Sequence, residues 1–194
     1  VSVAAIILAA GESRRMGSPK ALLELAGETF LDRLIGRLGA VCEPVIVVLG
    51  CHAAEIRAAA RRASQARFVV NEQYALGQLS SLQHGLRAVP PECEGVVFTL
   101  VDHPSVEPET LARLVERPGV TLAIPRYRGR RGHPVYVSAA LIPEFLALPE
   151  DAKASDVIHR HAGLIRYLDV EDAGVISDVD DAESYRRLVR GAGP

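Results

Sequence analysis

Short runs of consecutive apolar residues, rich in Val and Ile, alternate along this chain with stretches whose apolar residues recur every three or four positions. The runs are residues 3–10, 44–49, 67–70, 95–101 and 121–124. Segments apolar on both faces suit strands inside a parallel sheet, where helices cover both sides. Between them, residues 30–38 gather Leu31, Leu34, Ile35 and Leu38 on one helical face, and residues 53–63, 80–88 and 108–116 predict further helices. Ser105 or Glu107 is placed to cap the last of these. Beyond residue 125 the rhythm loosens. Residues 125–134 predict a Gly/Arg loop, 135–137 a short strand and 141–148 a short helix. A helix over 153–161, a strand over 164–170 and a closing helix over 182–190 follow. The alternation predicts an α/β doubly wound sheet, whose ligands sit at the carboxyl ends of the strands. Residues 9–20, 50–52, 71–81 and 102–104 are therefore the places to look for chemistry. Neither an internal repeat nor a linker divides the chain, so residues 1–194 are expected to form a single domain.

Composition narrows the partners. With 194 residues, 48% hydrophobic and 24% charged, the chain can bury a substantial core. A net charge of −2 argues against nucleic acid or an anionic membrane as partner. The densest cationic group, Arg126, Arg128, Arg130 and Arg131, is local and suits a small anion better than a duplex. Cys42, Cys51 and Cys93 are odd in number and unpaired in spacing, so they are expected to be reduced core thiols and not a zinc site. The first ten residues lack a basic segment and are too short to span a bilayer. The expectation is a soluble cytoplasmic protein with no membrane contact.

The segment from Ile6 to Lys20 carries the strongest chemical signal. An apolar run breaks at Gly11 into a polar loop holding Arg14, Arg15 and Lys20, an arrangement suited to a phosphate chain. Lys20 is one of two lysines, beside Lys153, against twenty arginines. Five residues separate Gly11 from Gly17, which fits neither the P-loop nor the G-x-G-x-x-G fingerprint. Asp102 follows the run at 95–101 and is stopped by Pro104, so its carboxylate can enter the same crevice. There it suits Mg2+, which takes one or two carboxylates together with substrate phosphates; a turn aspartate is the plainer alternative. Asp178 and Asp180 alternate around Val179, a spacing that points both to one side, and either can complete the metal site while the rest of the acidic cluster caps the closing helix. Gln78, Ser80 and Ser81 open a helix and offer groups that read a nucleobase edge, or one serine caps that helix. Arg131, Gly132 and His133 belong to a cationic Gly/Arg loop, with His133, fixed before Pro134, able to orient an acceptor, to act as an acid/base group or simply to be polar. The other five histidines show no ligand spacing and are taken as structural or solvated.

In order, Leu8-Ala9-Ala10-Gly11-x-Ser13-x-Arg15-Met16-Gly17-x-x-Lys20, Gly77-Gln78 with Ser81-Leu82, Asp102-x-Pro104 and Gly132-His133-Pro134 closely resemble the MobA-like NTP transferases. Within that group they look most like the molybdenum cofactor cytidylyltransferase branch, across residues 3–188. The resemblance implies a Rossmann-like, three-layer αβα nucleotidyltransferase fold with a mostly parallel sheet, and a magnesium-dependent attack of an acceptor phosphate on the α-phosphorus of an NTP. It implies that Leu8, Ala9, Ala10 and Gly11 lie against base and ribose, that Arg15 and Lys20 contact the phosphates, and that Asp102 binds magnesium. Ala9-Ala10-Gly11 resembles the cytidylyl form, favouring CTP over GTP. The implied acceptor is molybdenum-loaded molybdopterin, with a molybdoenzyme or its chaperone as possible downstream partner. Two positions depart from the pattern: His103 stands where the family usually has Gln, and Asp178-Val179-Asp180-Asp181-Ala182-Glu183 lacks the usual Thr-Pro helix start. The alternatives are a guanylyl- or other NTP transferase acting on a different phosphorylated molecule, and a non-catalytic cofactor carrier or insertion chaperone.

Overall fold

The computed structural model describes residues 2–116 and 119–191. The chain opens with β1 (Ser2–Ala9), a hairpin of β2 (Glu24–Leu25) and β3 (Glu28–Thr29), then α1 (Phe30–Gly39), β4 (Val45–Leu49), α2 (Ala53–Ala59) and β5 (Arg67–Val70). It continues through α3 (Gln78–Arg87), β6 (Cys93–Leu100), α4 (Pro108–Val115), β7 (Leu122–Tyr127), β8 (Arg130–Arg131) and β9 (Val135–Ser138). The last elements are α5 (Ile142–Leu146), α6 (Ala154–Arg160), β10 (Ile165–Asp169) and α7 (Ala182–Gly191).

One eight-stranded sheet runs in the order β10-β7-β9-β6-β1-β4-β5, with β8 paired to β7. The pairs β10/β7, β6/β1, β1/β4 and β4/β5 are parallel, and β9 is antiparallel to both β6 and β7. Six strands thus end on one edge, with β1 at the centre and β4 and β6 on either side. Alternate residues of β1 serve opposite faces. Ala5, Ile7 and Ala9 pack with α1 and α4 residues such as Leu34 and Leu111, while Ala4, Ile6 and Leu8 pack with Leu82 of α3, Phe145 of α5 and Val157 of α6. This is an α/β three-layer Rossmann-like nucleotidyltransferase fold with a largely parallel sheet.

Local physics accounts for the elements that were legible. In α1, Phe30, Leu31, Leu34, Ile35 and Leu38 are buried, each contributing on the order of 2 kcal/mol by leaving water. The Thr29 hydroxyl caps that helix by accepting from the Asp32 N–H. Glu107 stands at the cap position of α4 without a side-chain bond; its N–H donates instead to Asp172 Oδ2 at 2.8 Å. Three stretches differ from expectation. The β2/β3 hairpin is too short to give a period; residues 53–63 form a shorter helix that ends at Ala59; and residues 125–131 extend β7 and fold back as β8. Cys42 and Cys93 are buried, whereas Cys51 is half-buried at the end of β4; all three are free thiols. No helix among the described residues is long and apolar enough to cross a membrane.

Candidate active site

The carboxyl ends of β1 and β6 border a crevice of about 610 Å³. Its floor is Leu8, Ala9, Ala10 and Gly11, and one wall is Gly77, Gln78 and Ser81 at the start of α3. Gly50, in the neighbouring β4 turn, is required by close packing: a Cβ there would lie 2.6 Å from Tyr74 Cβ and 2.8 Å from the Ala10 carbonyl oxygen. The loop after β1 is pinned at its far end, where the Lys20 N–H donates to Ser13 Oγ at 3.0 Å. That bond turns Lys20 back over the loop and into the crevice. Arg14 pairs with Glu12 and, like Arg15, is largely exposed at the rim.

Lys20 Nζ lies 2.9 Å from Asp102 Oδ2 and 2.7 Å from Asp180 Oδ1. These residues are 82 and 160 positions away in sequence. Backbone geometry explains the meeting. The Val101 N–H donates to the Leu8 carbonyl, which sets Asp102 beside the loop, and the Val179 N–H donates to the Asp102 carbonyl at 3.0 Å, which draws the C-terminal segment across. With Val179 buried, Asp180 faces the crevice while Asp178 is exposed on a separate groove beside α7. The strand-like spacing suggested that both acids share a side. The segment is irregular, however, and Asp178 is not brought to Asp102. Asp181 instead supplies the cap of α7, accepting from the Ser184 N–H at 2.8 Å.

Charge at this point is tightly balanced. Burial pulls the Asp102 carboxyl upward, but the His103 hydrogen bond and the Lys20 charge outweigh it and hold its pKa below the ordinary value. The hydrogen bond from Lys20 lowers that of Asp180 as well. For Lys20, burial disfavours the ammonium, yet its bonds to both carboxylates win and raise its pKa. All three groups are ionised at neutral pH. Two carboxylates facing one cation are a hard-oxygen donor set, fitting the one or two protein carboxylates that magnesium takes beside substrate phosphates. Among the described residues no cluster of three or more His, Cys, Asp or Glu side chains is placed to hold a metal.

Two residues outside the sequence-derived site support it. His103 Nδ1 lies 3.0 Å from Asp102 Oδ1, so the carboxylate offers its other oxygen to the crevice. Adjacency to Asp102 was the available signal. Asn71, fully buried just past β5, hydrogen-bonds both Ser80 and Ser81. It falls within the segment 71–81 singled out by the strand-end rule, although nothing in the sequence distinguished it from a turn residue. The helix starts at Gln78 with Gly77 as its cap residue, so neither serine caps it. Ser80 Oγ turns back to the Gln73 and Gly77 carbonyls and is absent from the crevice wall, whereas Ser81 lines it.

Against known sequences, the profile of the MobA-like NTP transferase domain matches residues 5–164. The chain belongs to the MobA-like NTP transferase family. Similar proteins include the nicotine blue oxidoreductase of Paenarthrobacter nicotinovorans, 33% identical with 96% of both chains covered. The molybdenum cofactor cytidylyltransferase of Escherichia coli (strain K12) is 26% identical over 93% of this chain and 92% of that one. Rv0371c of Mycobacterium tuberculosis H37Rv, solved in complex with manganese, is 31% identical with a TM-score of 0.83, covering 98% of this chain and 99% of that chain. Differently named proteins match over nearly full length, so membership fixes the family and not a branch within it.

Arg131, Gly132 and His133, the residues expected to bind the acceptor, lie away from the crevice wall. Arg131 is exposed in β8, its guanidinium 5.2 Å from the Tyr167 ring, with Arg126 at 4.9 Å from the same ring and bidentate to Asp169. Gly132 packs so closely that a Cβ would stand 2.1 Å from the Val175 carbonyl oxygen. The next N–H, of His133, donates to that oxygen at 2.8 Å. The His133 ring sits 4.8 Å from the His103 ring, with its Nδ1 buried and unpartnered. Burial first, and His103 second, push the His133 pKa from 6.5 down to about 4. The unfolded chain therefore takes up a proton that the folded one refuses, and stability falls as pH drops below 6.5. Between pH 7 and pH 5 this group is expected to remove about 2 kcal/mol. Urea midpoints at the two pH values check this, and the fall should shrink in His133→Phe.

Proposed function

We propose that this protein is a magnesium-dependent nucleotidyltransferase that moves CMP from CTP onto the phosphate of a small cytoplasmic acceptor, with molybdenum-loaded molybdopterin as the preferred candidate. The observation that carries this reading is Lys20 held between Asp102 and Asp180 at the mouth of a crevice floored by Leu8–Gly11. The manganese complex of Rv0371c and the cytidylyltransferase named among the relatives support the metal and the base, respectively.

In this reading an acceptor phosphate oxygen bonds to the α-phosphorus as the bond to the bridging oxygen breaks, its electron pair leaving with pyrophosphate. Asp102 and Asp180 would hold the magnesium ion, which would supply charge neutralisation to the triphosphate. Lys20 turns from the carboxylates to the phosphates, and Arg15 closes from the rim; both place cations where negative charge builds. Gln78 and Ser81, with the Ala9–Gly11 backbone, hold base and ribose, and Ser80 braces that turn from behind. Arg131, on the sheet edge from which the acceptor enters, offers a guanidinium oriented by Tyr167. Gly132 and His133 keep the acceptor-side turn docked on Val175. A molybdoenzyme or its chaperone would take up the product.

Pyrophosphate release, followed with magnesium, each NTP in turn and the molybdenum-loaded pterin, tests the proposal. Release confined to CTP is the expected result. Release with GTP keeps the chemistry and changes the branch, and NTP binding without release points to another phosphorylated acceptor. The nicotine blue oxidoreductase among the relatives favours a second reading, an oxidoreductase acting on a small molecule. Redox turnover of nicotine blue without pyrophosphate release would establish that reading instead.

A further inference from the structure

Asn71 is fully buried, and all of its side-chain capacity facing the crevice wall is committed. Its Oδ1 accepts from the Gln73 N–H at 2.9 Å, which fixes the amide orientation. Its Nδ2 therefore faces the serines, donating to Ser80 Oγ at 2.8 Å and Ser81 Oγ at 3.1 Å. Ser80 passes its own proton to the Gln73 and Gly77 carbonyls, both at 3.2 Å. Ser81 has no such outlet. It receives a hydrogen bond from Asn71, and among the described residues no acceptor for its hydroxyl proton lies within hydrogen-bond distance. A hydroxyl has one proton and two lone pairs, and with a lone pair occupied from behind, the proton is free to point forward. Ser81 lines the crevice.

We infer that Asn71 is a positioning residue that sets the polarity of Ser81: with one lone pair taken by the Asn71 amide and no protein acceptor for its proton among the described residues, the hydroxyl offers that proton to the nucleobase in preference to its second lone pair. The inference rests on the nucleotide reading of the crevice and adds the chemical class of the base edge. A hydroxyl biased to donate matches an edge made of acceptors, as cytosine presents at O2 and N3, and is mismatched to an edge of N–H donors, as guanine presents at N1 and N2. Discrimination then comes from one buried amide that never touches the ligand. A hydrogen-bonding site of this kind disfavours the wrong partner because the mismatch either opposes two donors or turns the Ser81 proton away from any acceptor.

Asn71→Asp inverts the arrangement with almost no change of shape. The carboxylate has no proton to give, so it accepts from the Ser81 hydroxyl and leaves a lone pair facing the crevice. Equilibrium binding of CTP, GTP and inorganic tripolyphosphate to the full chain reads the effect. The expected result is a fall of about tenfold or more in the ratio of CTP to GTP affinity, with tripolyphosphate affinity unchanged. Ser81→Ala should lose the same selectivity without changing the helix, and it carries the test alone if a buried aspartate prevents folding. In the Asn71→Asp/Ser81→Ala double variant no further loss is expected, because Asn71 acts only through that hydroxyl. Equal losses for both nucleotides, an unchanged ratio, or additive losses in the double variant overturn the assignment of polarity. Failure of the unaltered protein to bind tripolyphosphate or any NTP overturns the nucleotide reading itself, which is a distinguishable result.

Discussion

Replacing Lys20 with Ala is expected to cut turnover by about a hundredfold or more, the usual consequence of losing a preorganised electrostatic donor at a developing charge. That corresponds to about 2.7 kcal/mol of transition-state stabilisation. The structure gives two reasons to expect so large an effect from one side chain. Lys20 is the sole lysine in the crevice, and its ammonium is held by Asp102 and Asp180. The raised pKa keeps it charged throughout the range in which the enzyme would work. Nearby arginines replace it only in part, since Arg14 is tied to Glu12 and the exposed Arg15 stands farther off, 3.8 Å from Asp180 Oδ1. Removing Lys20 also leaves Asp102 and Asp180 facing each other with no ammonium between them and the exposed Arg15 guanidinium beside Asp180. The variant should therefore bind manganese more tightly than the parent in the absence of nucleotide, while turning over far more slowly. Lys20→Arg restores the charge but replaces a compact ammonium by a planar fork, so only partial recovery is expected. Steady-state kinetics and manganese titration read these effects separately, and near-normal turnover in Lys20→Ala would remove the phosphate-binding role.

The pairing at Lys20 marks the boundary of what the sequence could disclose. Local periodicity announced β1, α1, β4, α3 and β6, because each buries a continuous run or a single helical face. The strand-end rule then placed the loop after β1, the start of α3 and Asp102 on one edge without any knowledge of strand order. Strand order itself depends on which apolar faces meet, and nothing local encodes that β9 slips between β6 and β7 in the opposite direction. The choice between Asp178 and Asp180 failed to resolve for the same kind of reason. Alternation predicts a shared side only in a strand, and this segment takes its direction from one long-range bond, the Val179 N–H to the Asp102 carbonyl. The hairpin carrying Arg131 was hidden because Pro125 and Gly129 read as loop formers, whereas Pro125 belongs to β7 and pairs with Leu168 of β10. His103 illustrates a different gap. An imidazole beside a carboxylate is ordinary in sequence, and only the 3.0 Å contact shows that it occupies one carboxylate oxygen and leaves the other to the crevice.

That division of the Asp102 oxygens makes Asp102→Asn the most direct probe of the metal. The substitution preserves shape, and the amide oxygen can still accept from His103 Nδ1. The amide NH2 then takes the position of Oδ2 and turns a donor toward the Lys20 ammonium, itself a pure donor. Lys20 loses one of its two anchors, and the crevice loses a negative charge that a divalent cation requires. Turnover is expected to fall about a hundredfold or more, and the apparent NTP affinity should cease to rise with magnesium concentration. Acid behaviour provides an independent check. The folded-state pKa of Asp102 is depressed, so its ionic contribution to stability is present above the unfolded value of 3.8 and is lost as pH falls through the lower folded value. Asp102→Asn should lack that component of acid unfolding. Asp178→Asn, on the separate groove, should leave the magnesium titration unchanged. If the titration is also unaltered in Asp102→Asn, the metal does not bind at Asp102, and the carboxylate serves only to hold Lys20.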